Sequence, residues 1–147
     1  MIKLLLDTNI CIYIIRRKPI QVINQLRKQS ISQVGISSIT LSELEYGVSK
    51  SSSTEQNKLA LAEFLSPVAI LAYDDLAARE YGKIRTCLER HGTPIGALDT
   101  LIAAHAKALG CTLVTNNERE FVRVPGLKIA NWAEVPAIEG SATTQES

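Results

Sequence analysis

The segment Met1-Ile2-Lys3-Leu4-Leu5-Leu6-Asp7-Thr8-Asn9 determines the fold prediction, because it joins an apolar run directly to an acidic group. Residues 1–6 have the length and composition of a short buried strand. Open α/β sheets bind their ligands at the carboxyl ends of the strands, so Asp7 lies where a site is expected. Asp7 could equally cap a helix that begins at Thr8, which stabilises a helix by about 1 kcal/mol.

The rest of the chain alternates between strand and helix patterns. Further strands are predicted at 34–37, 68–71, 111–114 and 127–129, and helices at 8–17, 20–29, 40–47, 55–65, 74–90 and 97–109, with a short helical turn through Phe121. Such alternation predicts an α/β fold with a mostly parallel central sheet covered on both faces. We expect one domain over residues 1–134 and a polar, disordered tail over residues 135–147.

The composition is ordinary for a globular protein. Of the 147 residues, 46% are hydrophobic and 21% are charged, and the net charge of +1 means that any basic surface must be local. The longest apolar run, residues 10–15, is too short to span a bilayer, and the N-terminus has no signal-peptide pattern. Cys11, Cys87 and Cys111 lack metal-type spacing, so we expect reduced thiols in a cytoplasmic protein with no membrane partner.

Four acidic residues occur at comparable junctions between strands and helices: Asp7, Glu43, Asp99 and Glu120. Each has a structural alternative, since Glu43 fits a capping box with Thr40, Asp99 suits the first turn of a helix, and Glu120 could be an exposed charge. The carboxyl ends of parallel strands meet at one edge, so Asp7, Glu43 and Glu120 should converge there, and the Pro94 loop should bring Asp99 to the same edge. Carboxylates brought together repel one another, and a divalent cation resolves that conflict.

A carboxylate cluster with few histidines or cysteines nearby selects Mg²⁺ or Mn²⁺ over zinc. Such ions activate a water for in-line attack on a phosphodiester, which would leave 5′-phosphate and 3′-hydroxyl ends. Histidine-based ribonuclease chemistry needs well-placed imidazoles, but His91 lies at a helix end and His105 lies among alanines. Chemistry through an aspartyl-phosphate would need a second Asp where this chain has Asn9.

Four motifs resemble those of PIN-domain nucleases, in order and with suitable spacing. They are Leu5-Leu6-Asp7-Thr8-Asn9, Ile36-Ser37-Ser38-Ile39-Thr40-Leu41-Ser42-Glu43-Leu44, Pro94-Ile95-Gly96-Ala97-Leu98-Asp99 and Leu113-Val114-Thr115-Asn116-Asn117-Glu118-Arg119-Glu120-Phe121, the last followed by Val124-Pro125-Gly126-Leu127. Over about residues 1–132 the chain resembles the VapC-type toxins of bacterial toxin–antitoxin systems. The resemblance implies a three-layer α/β/α PIN-like domain. It also implies an Mg²⁺- or Mn²⁺-dependent endoribonuclease that inhibits translation by cutting RNA, most often tRNA, with the anticodon stem-loop of initiator tRNA as the leading candidate.

The resemblance also implies roles for individual residues. Asp7, Glu43 and Asp99 match the three core metal-binding acids, and Glu120 is the better carboxylate for the fourth position, where many PIN domains have an acid in place of Asn117. The supporting polar residues that would orient the acids or a metal-bound water are Thr8, Asn9 and Thr115, and Asn116 and Asn117 could assist through water or phosphate contacts. Of these, Thr8 and Thr115 could equally be ordinary caps.

The partners are implied in the same way: a small VapB-type antitoxin that blocks the site, an RNA substrate, and a second copy in a homodimer. Basic residues are densest at 16–18 and 27–28, with Lys83, Arg85 and Arg90 on the long helix. Singly they are solvated helix ends, but as a group they could neutralise RNA phosphates. Two other functions remain open: a PIN-fold nuclease that processes rRNA or mRNA, and a non-enzymatic interaction module. A metal-dependent phosphatase is more distant.

Overall fold

A computed structural model describes residues 1–134, so the tail predicted at 135–147 lies outside the described residues. Five strands form one sheet in the order β3-β2-β1-β4-β5, and every neighbouring pair is parallel. The strands are β1 (Leu4–Leu6), β2 (Val34–Ser37), β3 (Ala69–Leu71), β4 (Thr112–Val114) and β5 (Ile129–Ala130). The helices are α1 (Thr8–Arg16), α2 (Ile20–Arg27), α3 (Ser38–Ser49), α4 (Thr54–Leu65), α5 (Asp75–Arg90), α6 (Ala97–Leu109) and α7 (Glu118–Phe121), with a 3₁₀ turn at Ile31–Gln33.

Helices cover both faces of the sheet, which confirms the predicted three-layer α/β/α class. Successive residues of a strand point to opposite faces, and β1 shows the consequence. Leu5 packs in a core with residues of α5, α6 and α7, whereas Leu6 packs in a second core with residues of α1 to α4. Leu113 and Val114 divide between the two cores in the same way.

The start of α3 differs from the prediction. The helix begins at Ser38, because the Ser37 hydroxyl at the end of β2 accepts the Ile39 amide at 3.0 Å and so caps the helix. Thr40 is therefore a buried residue within the first turn. The predicted capping box between Thr40 and Glu43 is therefore wrong, and the Glu43 side chain is not engaged in capping α3.

Two other sequence-level expectations agree with the structure. Cys11 and Cys111 are buried, Cys87 is half-buried, and all three are free thiols. Among residues 1–134, no helix has the length and apolarity needed to cross a bilayer.

Candidate active site

Asp7 lies at the carboxyl end of the central strand and is almost fully buried. Its amide donates to the Val114 carbonyl at 3.0 Å, which extends the pairing of β1 with β4 by one bond. Its carboxylate accepts the Ile10 amide at 3.0 Å and also hydrogen-bonds the Thr115 side chain. Asp7 is therefore the N-cap of α1, as its structural alternative predicted. The same contacts hold its carboxylate at the edge of the sheet.

A polar cavity of about 210 Å³ opens at this edge. The residues that line it are Asp7, Thr8, Asn9, Glu43, Asp99, Ile102 and Asn117. The parallel topology thus brings together three of the four acids that were predicted to converge. Glu120 lies outside this lining, yet its charge is close enough to act on Asp99.

Burial and the repulsion of nearby carboxylates disfavour ionisation of Asp7 and Asp99. Burial raises the pKa of Asp7 to about 6, and the charges of Asp99 and Glu43 act in the same direction against its hydrogen bonds. Burial also raises the pKa of Asp99, with further contributions from the charges of Glu120 and Glu43. The four acids therefore form one electrostatically coupled group.

Polar neighbours hold two of the acids in place. The Thr8 hydroxyl donates to Glu43 Oε1 at 2.5 Å, which fixes the Glu43 side chain beside the start of α1. Asn117 Nδ2 lies 3.4 Å from Asp99 Oδ2, and its own amide donates to the Thr115 hydroxyl at 2.9 Å. The Asn116 side chain donates to the Tyr13 hydroxyl at 2.8 Å and lies outside the cavity lining.

Arg123 is a neighbour of the site that the sequence patterns do not single out. Its guanidinium donates to the Pro94 carbonyl at 3.0 Å and lies 3.9 Å from Glu120 Oε1. It therefore joins α7 to the loop that leads into α6 and Asp99. Its partner Glu120 is not among the residues that line the cavity.

The donor set fits a hard divalent cation in its chemistry. Carboxylate and amide oxygens are the ligands that Mg²⁺ and Mn²⁺ prefer, and a cation would offset the repulsion that raises the pKa of Asp7. Within residues 1–134, no three acidic, histidine or cysteine side chains are already spaced to hold one ion together. The carboxylates of the described residues therefore do not converge on one point within ligand distance in this structure.

We expect the buried charge of Asp7 to make the metal-free protein less stable at neutral pH. Its pKa of about 6 in the folded state lies above the unfolded value of 3.8, so the folded state binds the proton more tightly. This contribution therefore raises the free energy of unfolding as pH falls from 7.5 to 5. Asp7→Asn mimics the protonated acid. Its free energy of unfolding should therefore be about 1–3 kcal/mol higher than that of wild type at pH 7.5.

Urea unfolding of both proteins in EDTA at pH 7.5 and at pH 5 measures this effect. The stability gap between Asp7→Asn and wild type should shrink at pH 5. A gap of equal size at both pH values would show that the Asp7 carboxylate carries no net penalty in the fold.

Comparison with known proteins gives a consistent result. Residues 4–127 match the family model described as "PIN domain". The "tRNA(fMet)-specific endonuclease VapC" of Salmonella typhimurium is 46% identical over 132 residues, which is 90% of this chain and 99% of that protein. The protein of the same description from Shigella flexneri is 44% identical over 133 residues, 90% of this chain and 100% of that one. The crystal structure of DNA-bound VapBC from Salmonella typhimurium matches with a TM-score of 0.85 and 45% identity, covering 90% of this chain and 99% of that one.

Proposed function

The chain belongs to the PIN-domain family, among the VapC ribonucleases of toxin–antitoxin systems, and from this membership we propose that it inhibits translation by cutting tRNA. One observation carries the proposal: Asp7, Glu43 and Asp99, from three separate segments, line a single polar cavity. Two relatives are named tRNA(fMet)-specific endonucleases, which supports the initiator tRNA as substrate. The anticodon stem-loop is the element of that tRNA that we propose is cut.

Asp7, Glu43 and Asp99 would hold Mg²⁺ or Mn²⁺, with Glu120 as the fourth acid. When bound, such a cation supplies an activated water and neutralises the charge that develops on the phosphodiester. The chain contributes the orientation of the ligands. The N-cap bonds fix the Asp7 carboxylate, and Asn117 contacts Asp99. Hydrolysis of this kind leaves 5′-phosphate and 3′-hydroxyl ends.

RNA phosphates would bind basic side chains of α5 that now form only weak, exposed contacts within the protein. Arg85 donates to Glu89 at 3.0 Å and to the Tyr81 hydroxyl at 3.0 Å, and Lys83 lies 3.6 Å from Glu80. Exposed pairs of this kind contribute about 0–1 kcal/mol, so a phosphate can displace the glutamates. Because these contacts are weak, Arg85 and Lys83 remain available to bind RNA.

The partner proposed for the chain is a VapB-type antitoxin. Solved relatives are VapBC complexes from Rickettsia felis and Salmonella typhimurium. Beside the active site, a groove between α1, α3 and α4 is lined in part by Ile12, Ile15 and Leu44, and Glu43 also lines it. An apolar antitoxin segment seated there would reach the acids and block them. A homodimer and a cytoplasmic location complete the proposal.

Glu120→Gln tests the metal centre directly. We expect Mn²⁺ affinity, measured by calorimetry, and the rate of tRNA cleavage to fall by about 10–100-fold, the range for groups that support a metal site. Glu118→Gln is the matched control, because it makes the same change on an exposed side chain of α7 and should leave both quantities unchanged. Wild-type protein that binds no Mn²⁺ and cleaves tRNA equally well in EDTA would contradict the proposal.

A further inference from the structure

His105 is a buried titratable residue that the proposed chemistry leaves unused. It is 1% exposed and lies in α6, the helix whose first turn carries Asp99. Its helical neighbours Ala104 and Ala106 are apolar and fully buried. A polar ring in such surroundings needs hydrogen-bond partners, because an unsatisfied buried group is costly.

The ring is bonded to the residue that caps α3. His105 Nδ1 lies 2.8 Å from the Ser37 hydroxyl oxygen, which also accepts the Ile39 amide. The hydroxyl hydrogen of Ser37 also needs an acceptor, so every group is satisfied when the Ser37 hydroxyl donates to Nδ1. The backbone of Ala72 also hydrogen-bonds the ring, and a carbonyl is the backbone group that can accept from imidazole. Burial lowers the pKa of His105, which keeps this neutral form.

A second contact reinforces the same junction. The Tyr73 ring meets His105 edge to face, with centroids 5.6 Å apart and planes at 78°. The Tyr73 amide donates to the Ser38 hydroxyl at 3.1 Å, at the first residue of α3. The imidazole therefore lies where α6, the start of α3 and the segment after β3 meet.

We propose that His105 is a positioning residue that joins α6 to the start of α3 and so sets the separation of Asp99 and Glu43. The two acids lie on these two helices, and each helix is rigid between the bonded junction and its acid. Loss of the Ser37 bond lets the helices shift, which misplaces the two ligands relative to each other. This role deepens the proposed function and rests on it.

Three variants of the full chain separate positioning from simple stability. His105→Leu removes both polar contacts, whereas His105→Asn keeps a polar atom where Nδ1 lies, within reach of Ser37. Val22→Ala is the control, because it truncates a fully buried residue of α2 in the other core. If His105→Leu does not fold, His105→Gln replaces it, since its longer side chain carries the amide past the Ser37 hydroxyl.

The readouts are the Mn²⁺ dissociation constant by calorimetry, the melting temperature, and kcat and KM for tRNA cleavage. We expect His105→Leu to weaken Mn²⁺ binding by about 10–100-fold and to lower kcat with KM unchanged, as when a metal ligand loses its support. His105→Asn should recover most of this loss, and Val22→Ala should lower the melting temperature without changing Mn²⁺ affinity. Mn²⁺ affinity in His105→Leu equal to that of wild type, or reduced only as in Val22→Ala, would overturn the positioning role. Wild-type protein that binds no Mn²⁺ would instead contradict the proposed function, and the positioning role with it.

Discussion

Asp7→Asn protein is expected to fold normally and to cleave RNA at least about 100-fold more slowly than wild type. Loss of a residue that only supports a metal ligand already lowers metal affinity or activity by about 10–100-fold, and Asp7 is proposed as a ligand itself. Asparagine keeps the side-chain oxygen that accepts the Ile10 amide, so the cap on α1 survives. The substitution removes the negative charge from the most buried acid of the cavity. This variant therefore keeps the capping role of residue 7 and removes its proposed metal-binding role.

Asp74→Asn is the matched control for this prediction. Asp74 caps α5 in the same manner, through a bond from the Ala77 amide at 3.1 Å, and it lies outside the cavity lining. Cleavage rates and melting temperatures of the two variants should be compared at saturating Mg²⁺. Asp74→Asn should retain activity. An Asp7→Asn protein that stays fully active, or that no longer folds, would show that capping is the main role of Asp7.

Phe121→Ala is expected to lower the free energy of unfolding by about 3–5 kcal/mol. The ring is fully buried and packs in one core with Leu5 and Leu113 from the two central strands of the site. It also anchors α7, the helix that carries Glu120. The variant should therefore lose Mn²⁺ affinity as well as stability.

The neighbouring residue supplies the comparison for Phe121. Val122 is 71% exposed, so Val122→Ala should change stability by less than about 0.5 kcal/mol. Urea unfolding of both variants with two-state analysis measures the difference. Equal unfolding midpoints would mean that α7 is not anchored by the core, and that Glu120 is positioned by its contacts with Arg123 alone.

The fold followed from local patterns, except where two similar signals competed. Apolar runs that end in polar residues predicted the strands, and β1 and β4 have their carboxyl ends where Asp7 and Thr115 begin the next segments. The predicted start of α3 was wrong because Ser37 and Thr40 are both good N-cap residues, and local sequence does not distinguish between them. Pairing of β2 with β3 extends to Ser37, and this tertiary contact selects the cap.

The candidate site likewise combines features that the sequence predicted with contacts that it did not. Parallel topology predicted that Asp7, Glu43 and Glu120 meet, and the Pro94 loop was expected to bring Asp99 to them. Asp7, Glu43 and Asp99 line one cavity, whereas Glu120 lies outside its lining. The contact of Arg123 with the Pro94 carbonyl and the bond between His105 and Ser37 join residues far apart in sequence. No local spacing encodes such contacts, so the sequence shows His105 only as a histidine among alanines.

The most direct test of the account is cleavage of purified total tRNA by antitoxin-free protein, with Mg²⁺, Mn²⁺ or EDTA and with Asp7→Asn alongside. If tRNA stays intact while rRNA or mRNA is cut in the same metal-dependent way, the PIN-fold processing nuclease becomes the function, and if all three stay intact, the interaction module does. The account predicts discrete tRNA fragments with 5′-phosphate and 3′-hydroxyl ends, formed only with a divalent cation and absent with Asp7→Asn. Fragments that persist in EDTA, or that end in 2′,3′-cyclic phosphates, would contradict it.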